Sequence, residues 1–219
     1  MLARVLEPEV MDTPEEARDY DAMDHSEVNR VFVADFLAIW DSRGPVLDLG
    51  TGTALIPIEF CRQAPTGQVV AVDAAFQMLT VAEENVRQAA VDERVFLHLV
   101  DAKRMPFDDH SFPAVMSNSI VHHIPDPRTV FAEIARVVMP GGTIFVRDLL
   151  RPADAATLRH LVDTYAGSAN EHQRKMFAES LHAALTVDEV KELVAGVGYD
   201  PAGVRQTTDR HWTWSVSPP

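Results

Sequence analysis

Residues 46–61 read VLDLGTGTALIPIEFC, an apolar run that passes through two glycines into a second apolar run. VLDL is typical of a buried strand, and the second run is long enough to form a helix, so the glycines would make a tight turn between them. A dinucleotide-binding turn reads G-x-G-x-x-G, but Leu55 occupies the third glycine's position. The stretch therefore predicts a strand, a ligand-binding turn and a helix, and it leaves open which ligand is bound.

Short apolar runs then alternate with helical patterns, which indicates a parallel sheet with crossover helices. Capping residues predict that one helix starts after Thr13 and another after Thr186, and that Ser26 caps a further helix. We predict strands at 46–49, 69–72, 95–100, 113–118 and 143–148, helices at 54–64, 75–89 and 128–138, and a closing hairpin of VRQTT and HWTWSV.

The predicted fold class is α/β, a Rossmann-like, doubly wound sheet of seven mostly parallel strands with an antiparallel last strand. We expect one domain, 1–219, with N-terminal helices before the sheet and a helical lid insertion after the fifth strand. Its parts are the N-terminal helical cap (1–43), the ligand-binding core (44–150), the lid insertion (151–185), and the last helix with the closing strands (186–219).

Charge and composition exclude several classes of partner. The chain has 19 Lys and Arg against 33 Asp and Glu, a net charge of -14, so it would repel the phosphate backbone of a nucleic acid. It has no apolar run of the roughly 20 residues needed to cross a bilayer and no N-terminal signal core. Cys61 is the only cysteine, which excludes an internal disulfide. We expect a cytoplasmic monomer or homodimer with no membrane or nucleic-acid partner.

Polar groups end every predicted parallel strand. Ligands of open parallel sheets lie outside the carboxyl ends of the strands, where the strand order reverses. Asp73 would accept both hydroxyls of a ribose, while Asp101 and the N–H of Ala102 would bind the edge of an adenine. Carboxylates at strand ends also cap helices, so each residue alone has a structural alternative. Together they predict a nucleoside site.

The chain resembles the class I S-adenosylmethionine-dependent methyltransferases, in particular the small-molecule branch that includes ubiquinone and menaquinone biosynthesis enzymes. The resemblance is strong over about residues 44–150 and weak elsewhere. The matching segments are VLDLGTGTA, VVAVDAAFQML, DAKRMPFDDHSF, VMSNSIVHHIPDP and MPGGTIFVRDL, in the expected order.

The resemblance implies S-adenosylmethionine as the cofactor and S-adenosylhomocysteine as the product. Ala54 stands where the family often has a third glycine, and we expect tighter packing there without loss of binding. Phe76 is an alternative to Met78 beside the adenine. The implied cofactor-binding residues are Tyr20, Asp48, Gly50, Thr51, Gly52, Asp73, Ala74, Met78, Asp101, Ala102, Ser117 and Asn118.

Methyl transfer from a sulfonium is an in-line displacement that mainly requires alignment, and a protein base helps only when the acceptor must lose a proton. His122 and Asp148 are the candidate catalytic residues, with a structural role in the HHIPDP turn as the alternative, above all for His123. Asp148 and Arg151 could instead hold a charged acceptor, with Arg151 suited to a carboxylate, and a surface salt bridge is an equal alternative for each. The candidate acceptor-binding residues are His122, His123, Asp148, Arg151, Tyr165, His182, His211 and Trp212.

We predict a small polar or heteroaromatic acceptor rather than a long isoprenoid chain, and no metal. A metal held by His122, His172, His182 and His211, near Asp148 and Asp209, is a weaker alternative. Two other functions stay open: a protein of this fold that binds the cofactor without transferring methyl groups, and a nicotinamide oxidoreductase, which the broken glycine pattern disfavours.

Overall fold

The computed structural model describes residues 2–7, 12–167 and 169–218. Parts of the N-terminal stretch and of the predicted lid insertion, residues 1, 8–11 and 168, lie outside this description, as does residue 219. The strands are β1 (Val46–Leu49), β2 (Val69–Asp73), β3 (Val95–Leu99), β4 (Phe112–Asn118), β5 (Val138–Leu149), β6 (Val204–Gln206) and β7 (His211–Val216).

The helices lie mainly where the 3.6-residue periodicity predicts them. Those before and between the parallel strands are α1 (Pro14–Asp21), α2 (Ser26–Leu37), α3 (Leu55–Gln63), α4 (Phe76–Gln88) and α5 (Arg128–Val137). Those after β5 are α6 (Ala155–Tyr165), α7 (Glu171–Ala183) and α8 (Val187–Gly196), and the short 3₁₀ helices are η1 (Val121–His123) and η2 (Pro201–Gly203). No helix in the described ranges is long and apolar enough to cross a membrane.

The strands form one seven-stranded sheet in the order β3-β2-β1-β4-β5-β7-β6. β1 pairs in parallel with both β2 and β4, and β6 pairs antiparallel with β7. Strand order therefore reverses between β1 and β4, the place where an open sheet of this kind binds its ligand. The predicted fold class is confirmed.

Two boundary predictions are wrong. Ser26 does not cap α2, because it is the first helical residue and its hydroxyl donates to Asp24 Oδ1 at 2.5 Å. β5 is much longer than the predicted 143–148, since the MPGG segment that precedes this run continues the strand. The capping boxes at Thr13 and Thr186 are confirmed, each with its glutamate three residues later.

Contacts within the chain divide it into two compact units, which we describe separately. Unit 1 contains residues 1–9, 119–128 and 147–214 of the chain, and unit 2 contains residues 10–118, 129–146 and 215–219. Unit 2 has an aromatic core in which Phe36 packs on Phe60 and Phe145, with ring centroids 5.9 and 6.1 Å apart. Unit 1 has its own apolar cluster around Leu149, Leu161 and Leu181. Each unit therefore buries a core of its own.

Candidate cofactor and acceptor sites

The turn after β1 is anchored to β2 by backbone hydrogen bonds. The N–H groups of Gly50 and Thr51 both donate to the Val72 carbonyl at 2.9 Å. Gly50 has a φ of 68° and Gly52 one of 55°, values in the left-handed region that residues with a Cβ rarely adopt. Both glycines of the opening motif are thus required by the conformation of the turn, and they leave its backbone open to close approach.

Ala54 follows the same turn and is also left-handed, with a φ of 63°. Its side chain is fully buried in the core of unit 2, as the expectation of tight packing implies. The left-handed backbone gives a second reason for glycine at this position, which the sequence pattern alone does not reveal. The left-handed backbone and the close packing, rather than contact with a phosphate, explain why residue 54 is small.

Asp73, at the end of β2, connects the turn to the start of α4. Its Oδ2 accepts a hydrogen bond from Gly52 N–H at 2.8 Å, and its Oδ1 accepts one from Ala75 N–H at 2.8 Å. These two contacts fix the orientation of the carboxylate at the carboxyl end of the strand. Asp73 therefore lies beside the glycine turn, as the nucleoside site requires.

Asp48 and Thr51 carry unsatisfied polar atoms next to this turn. Asp48 Oδ2 and Thr51 Oγ1 are buried, and neither makes a hydrogen bond of normal geometry among the described residues. Burial and the nearby Asp73 charge raise the pKa of Asp48 to about 7, against the lowering effect of the adjacent Thr51 side chain. Buried polar atoms without partners are uncommon, and a bound ligand with donor groups or positive charge would satisfy them. The chemistry of these residues fits the sulfonium and amino groups of S-adenosylmethionine.

The ring of Tyr20 in α1 lies over the glycine turn. A Cβ placed on Gly52 would meet Tyr20 Cε1 at 3.6 Å, and the same ring lies 4.8 Å from that of His25. Burial, with the charges of Asp73 and Asp48, raises the pKa of Tyr20 to about 12, so the phenol is neutral at physiological pH. The residue predicted as a lid contact is thus placed where it could cover a ligand in the turn.

Several other predicted cofactor residues have different surroundings from those expected. Met78 is buried with Ala17 and Ala75, whereas Phe76 is 58% exposed, so Phe76 is the better placed of the two to cover an adenine. Ser117 donates its hydroxyl to the Leu49 carbonyl at 2.9 Å and so fastens β4 to β1.

The predicted adenine-side residues lie at the surface. Asp101 is exposed and accepts a hydrogen bond from the Lys103 N–H at 2.9 Å, while its Oδ1 lies 3.1 Å from Lys103 Nζ. Ala74 is exposed as well, and Ala102 and Asn118 are partly buried. These positions leave Asp101 accessible to the amino group of a base.

In unit 1, Asp148 at the end of β5 holds His122 of η1. Asp148 Oδ1 lies 2.5 Å from His122 Nδ1, and Oδ2 accepts the N–H of Val121 at 2.5 Å. Burial disfavours a charged imidazole, but the Asp148 carboxylate outweighs it and raises the pKa of His122. Burial acts to raise the pKa of Asp148, yet the positive His122 and the backbone donors lower it overall. The sequence therefore identified two residues that form one buried pair.

The other ring nitrogen of His122 does not point to open space. Nε2 lies 3.5 Å from Glu7 Oε1, and the same oxygen lies 3.1 Å from His123 Nδ1. Sequence reasoning missed Glu7, because no motif connects the N-terminal segment to a turn more than a hundred residues later. The contact argues against His122 as a free general base.

The remaining predicted acceptor residues are largely engaged within unit 1. Arg151 is buried and donates to the Ala184 carbonyl at 3.2 Å and to Glu189 Oε1 at 2.6 Å, which argues against its predicted role in binding a carboxylate. Tyr165 is exposed, and its hydroxyl donates to Asp209 Oδ2 at 2.7 Å beneath the Arg210 guanidinium. Trp212 is fully buried, and the carbonyl of His182 accepts the N–H of Val5 at 3.1 Å.

His211 is buried beside Thr208, whose hydroxyl lies 2.9 Å from His211 Nδ1. Burial, with the charges of Arg210 and Arg147, lowers the pKa of His211 to about 4. The group with metal-ligand geometry among the described residues is Glu7, His122 and His123, which differs from the histidine quartet considered on sequence grounds.

Comparison with known proteins finds a methyltransferase domain in the sheet-forming part of the chain. A family profile described as a methyltransferase domain matches residues 47–146. The demethylmenaquinone methyltransferase of Porphyromonas gingivalis is 29% identical over 171 residues, 73% of this chain and 69% of the relative. The ubiquinone/menaquinone biosynthesis C-methyltransferase UbiE of Desulfotalea psychrophila is 36% identical over 110 residues, 50% of this chain but only 43% of the relative.

The fold agrees with this relationship. The crystal structure of a SAM-dependent methyltransferase from Aquifex aeolicus superposes with a TM-score of 0.67, covering 94% of this chain and 98% of the other at 15% identity. Its similarity concerns the fold alone, while the family profile covers the β1 turn, Asp73 and Asp101. Residues 47–146 therefore form a methyltransferase domain, and the chain is similar to S-adenosylmethionine-dependent methyltransferases.

Proposed function

We propose that this methyltransferase transfers the methyl group of S-adenosylmethionine to a small-molecule acceptor that is polar or heteroaromatic. The observation that carries the cofactor part is the buried pair of Asp48 and Thr51 beside the left-handed glycine turn, whose Oδ2 and Oγ1 atoms make no hydrogen bond of normal geometry. A small-molecule acceptor is supported by curated relatives named for quinone methylation. The preference for a polar or heteroaromatic acceptor over such a quinone rests on the polar and aromatic side chains of unit 1 alone.

In this proposal Asp73, which lies between the glycine turn and the start of α4, accepts the ribose hydroxyls. Asp101 accepts the adenine amino group, and the N–H of Ala102 donates to the ring. Phe76 covers the base, and Tyr20 covers the turn. Asp48 provides negative charge beside the methionine part, where it favours a cationic ligand.

The bound cofactor supplies a methyl group on a positively charged sulfur. The residues of this chain contribute alignment and exclusion of water, which are the main requirements of an in-line displacement. Because His122 Nε2 faces Glu7, we assign the pair of His122 and Asp148 a positioning role in place of the predicted base. An acceptor that has a free lone pair at neutral pH fits this arrangement best.

The test is transfer of a labelled methyl group from S-adenosylmethionine to a panel of acceptors. The panel should contain hydroxylated heteroaromatics, small amines and a demethylated quinone with its isoprenoid tail. We expect labelled product and equimolar S-adenosylhomocysteine with a compact polar acceptor. Transfer only to the isoprenoid quinone would contradict the proposed acceptor class, and cofactor binding without transfer to any compound would favour a non-methylating role.

A further inference from the structure

One atom each from Glu7, His122 and His123 converges within unit 1. The three ligand-type atoms all lie within 4.8 Å of one another. Glu7 Oε1 is central to the group, at 3.5 Å from His122 Nε2 and 3.1 Å from His123 Nδ1. Two imidazole nitrogens and one carboxylate oxygen are ligands that suit Zn²⁺ and neighbouring transition metals.

The two separations that involve Glu7 are close to those around a four-coordinate ion. Bonds of about 2.0–2.2 Å to Zn²⁺ place neighbouring ligand atoms of a tetrahedron roughly 3.3–3.6 Å apart. The distance from Glu7 to His122 is 3.5 Å, within that range, and the distance from Glu7 to His123 is 3.1 Å, slightly below it. Small side-chain adjustments would therefore place an ion between the three atoms.

Two of the three atoms that would bind the ion make no hydrogen bond of normal geometry in the described part of the chain. These are Glu7 Oε1 and His123 Nδ1, which are buried and lie 3.1 Å from each other. The other oxygen, Glu7 Oε2, accepts the hydroxyl of Ser180 at 3.1 Å, which orients the carboxylate and leaves Oε1 free. This arrangement suits a carboxylate that binds through one oxygen.

Asp148 completes an outer shell around the group. The Asp148 carboxylate can accept a hydrogen bond but cannot donate one, so Nδ1 of His122 must be the donor. In the neutral imidazole the proton is therefore on Nδ1, and Nε2 has a free lone pair. Metal-bound histidines almost always donate their other nitrogen to such a partner. Asp148 therefore fixes both the tautomer and the ring orientation that ligation through Nε2 requires.

The charged groups around the three ligand atoms also favour a cation. Arg4 lies near the group, with a guanidinium nitrogen 3.2 Å from the His122 carbonyl. Arg151 also lies close enough to act on Arg4, as do the carboxylates of Glu189 and Asp148. With Glu7, three carboxylates stand against two guanidinium groups, so the surroundings stay net negative and favour a cation.

We propose that Glu7, His122 and His123 bind one divalent transition-metal ion, with Zn²⁺ as the best match, through Oε1, Nε2 and Nδ1. The ion would join residues 2–7 to η1 and leave a fourth position for water or another ligand. This site is separate from the cofactor turn of unit 2, so it could exist whether or not the proposed acceptor class is correct.

The experiment uses the full chain with any affinity tag removed, stripped of metal with EDTA. The chain is titrated with Co²⁺, whose visible absorption reports four-coordination, and the bound Co²⁺ is then displaced with Zn²⁺. We expect one equivalent to bind, and Zn²⁺ to raise the melting temperature. Loss of a ligand in Glu7→Gln or His123→Asn should weaken binding by more than the roughly 10- to 100-fold that loss of an outer-shell partner costs.

Glu171→Gln and His172→Asn, both exposed on α7, are the matched controls and should bind like the unmodified chain. Circular dichroism without metal shows whether each variant is folded. Absence of Co²⁺ and Zn²⁺ uptake by the unmodified chain would overturn the proposal. Equal affinity in folded Glu7→Gln and in the unmodified chain would overturn it as well, and so would loss of binding in the α7 controls.

Discussion

Asp48 combines complete burial with a carboxyl group whose pKa is raised from 3.8 to about 7. Between these values the folded chain retains a proton that the unfolded chain has released, so stability falls as the pH rises through this window. The contribution of the neutral carboxyl is fully present below about pH 4 and is lost near pH 7. A cationic ligand favours the ionised form and reverses the effect.

The first prediction compares Asp48→Asn with the unmodified chain, since the two share every other titrating group. The free energy of unfolding of the unmodified chain should decrease relative to that of the variant from about pH 4 to pH 7, by at most about 4 kcal/mol. Urea unfolding at a series of pH values measures this difference. Parallel pH profiles for the two proteins would show that Asp48 has an ordinary pKa.

The second prediction concerns the ring of Tyr20 over Gly52. Tyr20→Ala removes an aromatic cover worth about 1 kcal/mol and should weaken S-adenosylmethionine binding roughly 5-fold. Tyr20→Phe retains the ring and should bind nearly as tightly as the unmodified chain. Calorimetric titration gives the affinities, with Tyr165→Ala as the control. Equal affinities for Tyr20→Ala and the unmodified chain would exclude Tyr20 from the site.

At the scale of elements, the N-terminal segment is fastened to unit 1 by Arg4. Its guanidinium donates to carbonyls in two parts of the chain, to Ala183 at 2.7 Å and to Ile124 at 2.9 Å, and also to those of His122 and Pro125. Val5 N–H adds a bond to the His182 carbonyl at 3.1 Å. These contacts bring Glu7 to the two histidines.

The third prediction is that Arg4→Ala lowers the free energy of unfolding by about 1–3 kcal/mol, because several charged hydrogen bonds are lost together. Arg62→Ala, which removes an exposed arginine of α3, should change it by less than about 0.5 kcal/mol. Chemical denaturation measures both. A similar loss in the two variants would mean that the N-terminal segment adds nothing specific to stability.

The elements themselves were largely predictable, since periodicity and capping boxes are local signals. β1 was predicted to the residue, and the capping box at Thr186 gave the start of α8. The predicted cap at Ser26 is wrong because Asp24, two residues earlier, accepts a hydrogen bond from the serine hydroxyl. The extent of β5 could not be read locally, because glycines weaken the strand pattern over its first residues.

At the scale of the whole molecule, the motifs that follow the strands predicted which residues lie together better than single residues did. The order β3-β2-β1-β4 brings the Gly50 turn and Asp73 together, as the strand-end rule requires. The contacts of Arg151 with Glu189 and of His122 with Glu7 join residues far apart in sequence, and no spacing rule encodes such pairs. Acceptor residues were therefore the least predictable part.

The central claim is that S-adenosylmethionine binds at the β1 turn with Asp73 beside it, and calorimetric titration of the full chain with this cofactor tests it most directly. We predict one binding site, an affinity weakened about 10- to 100-fold in Asp73→Asn through loss of charged hydrogen bonds, and an unchanged affinity in the exposed control Asp92→Asn. Equal binding by Asp73→Asn and the unmodified chain, or no binding by either, would contradict the account.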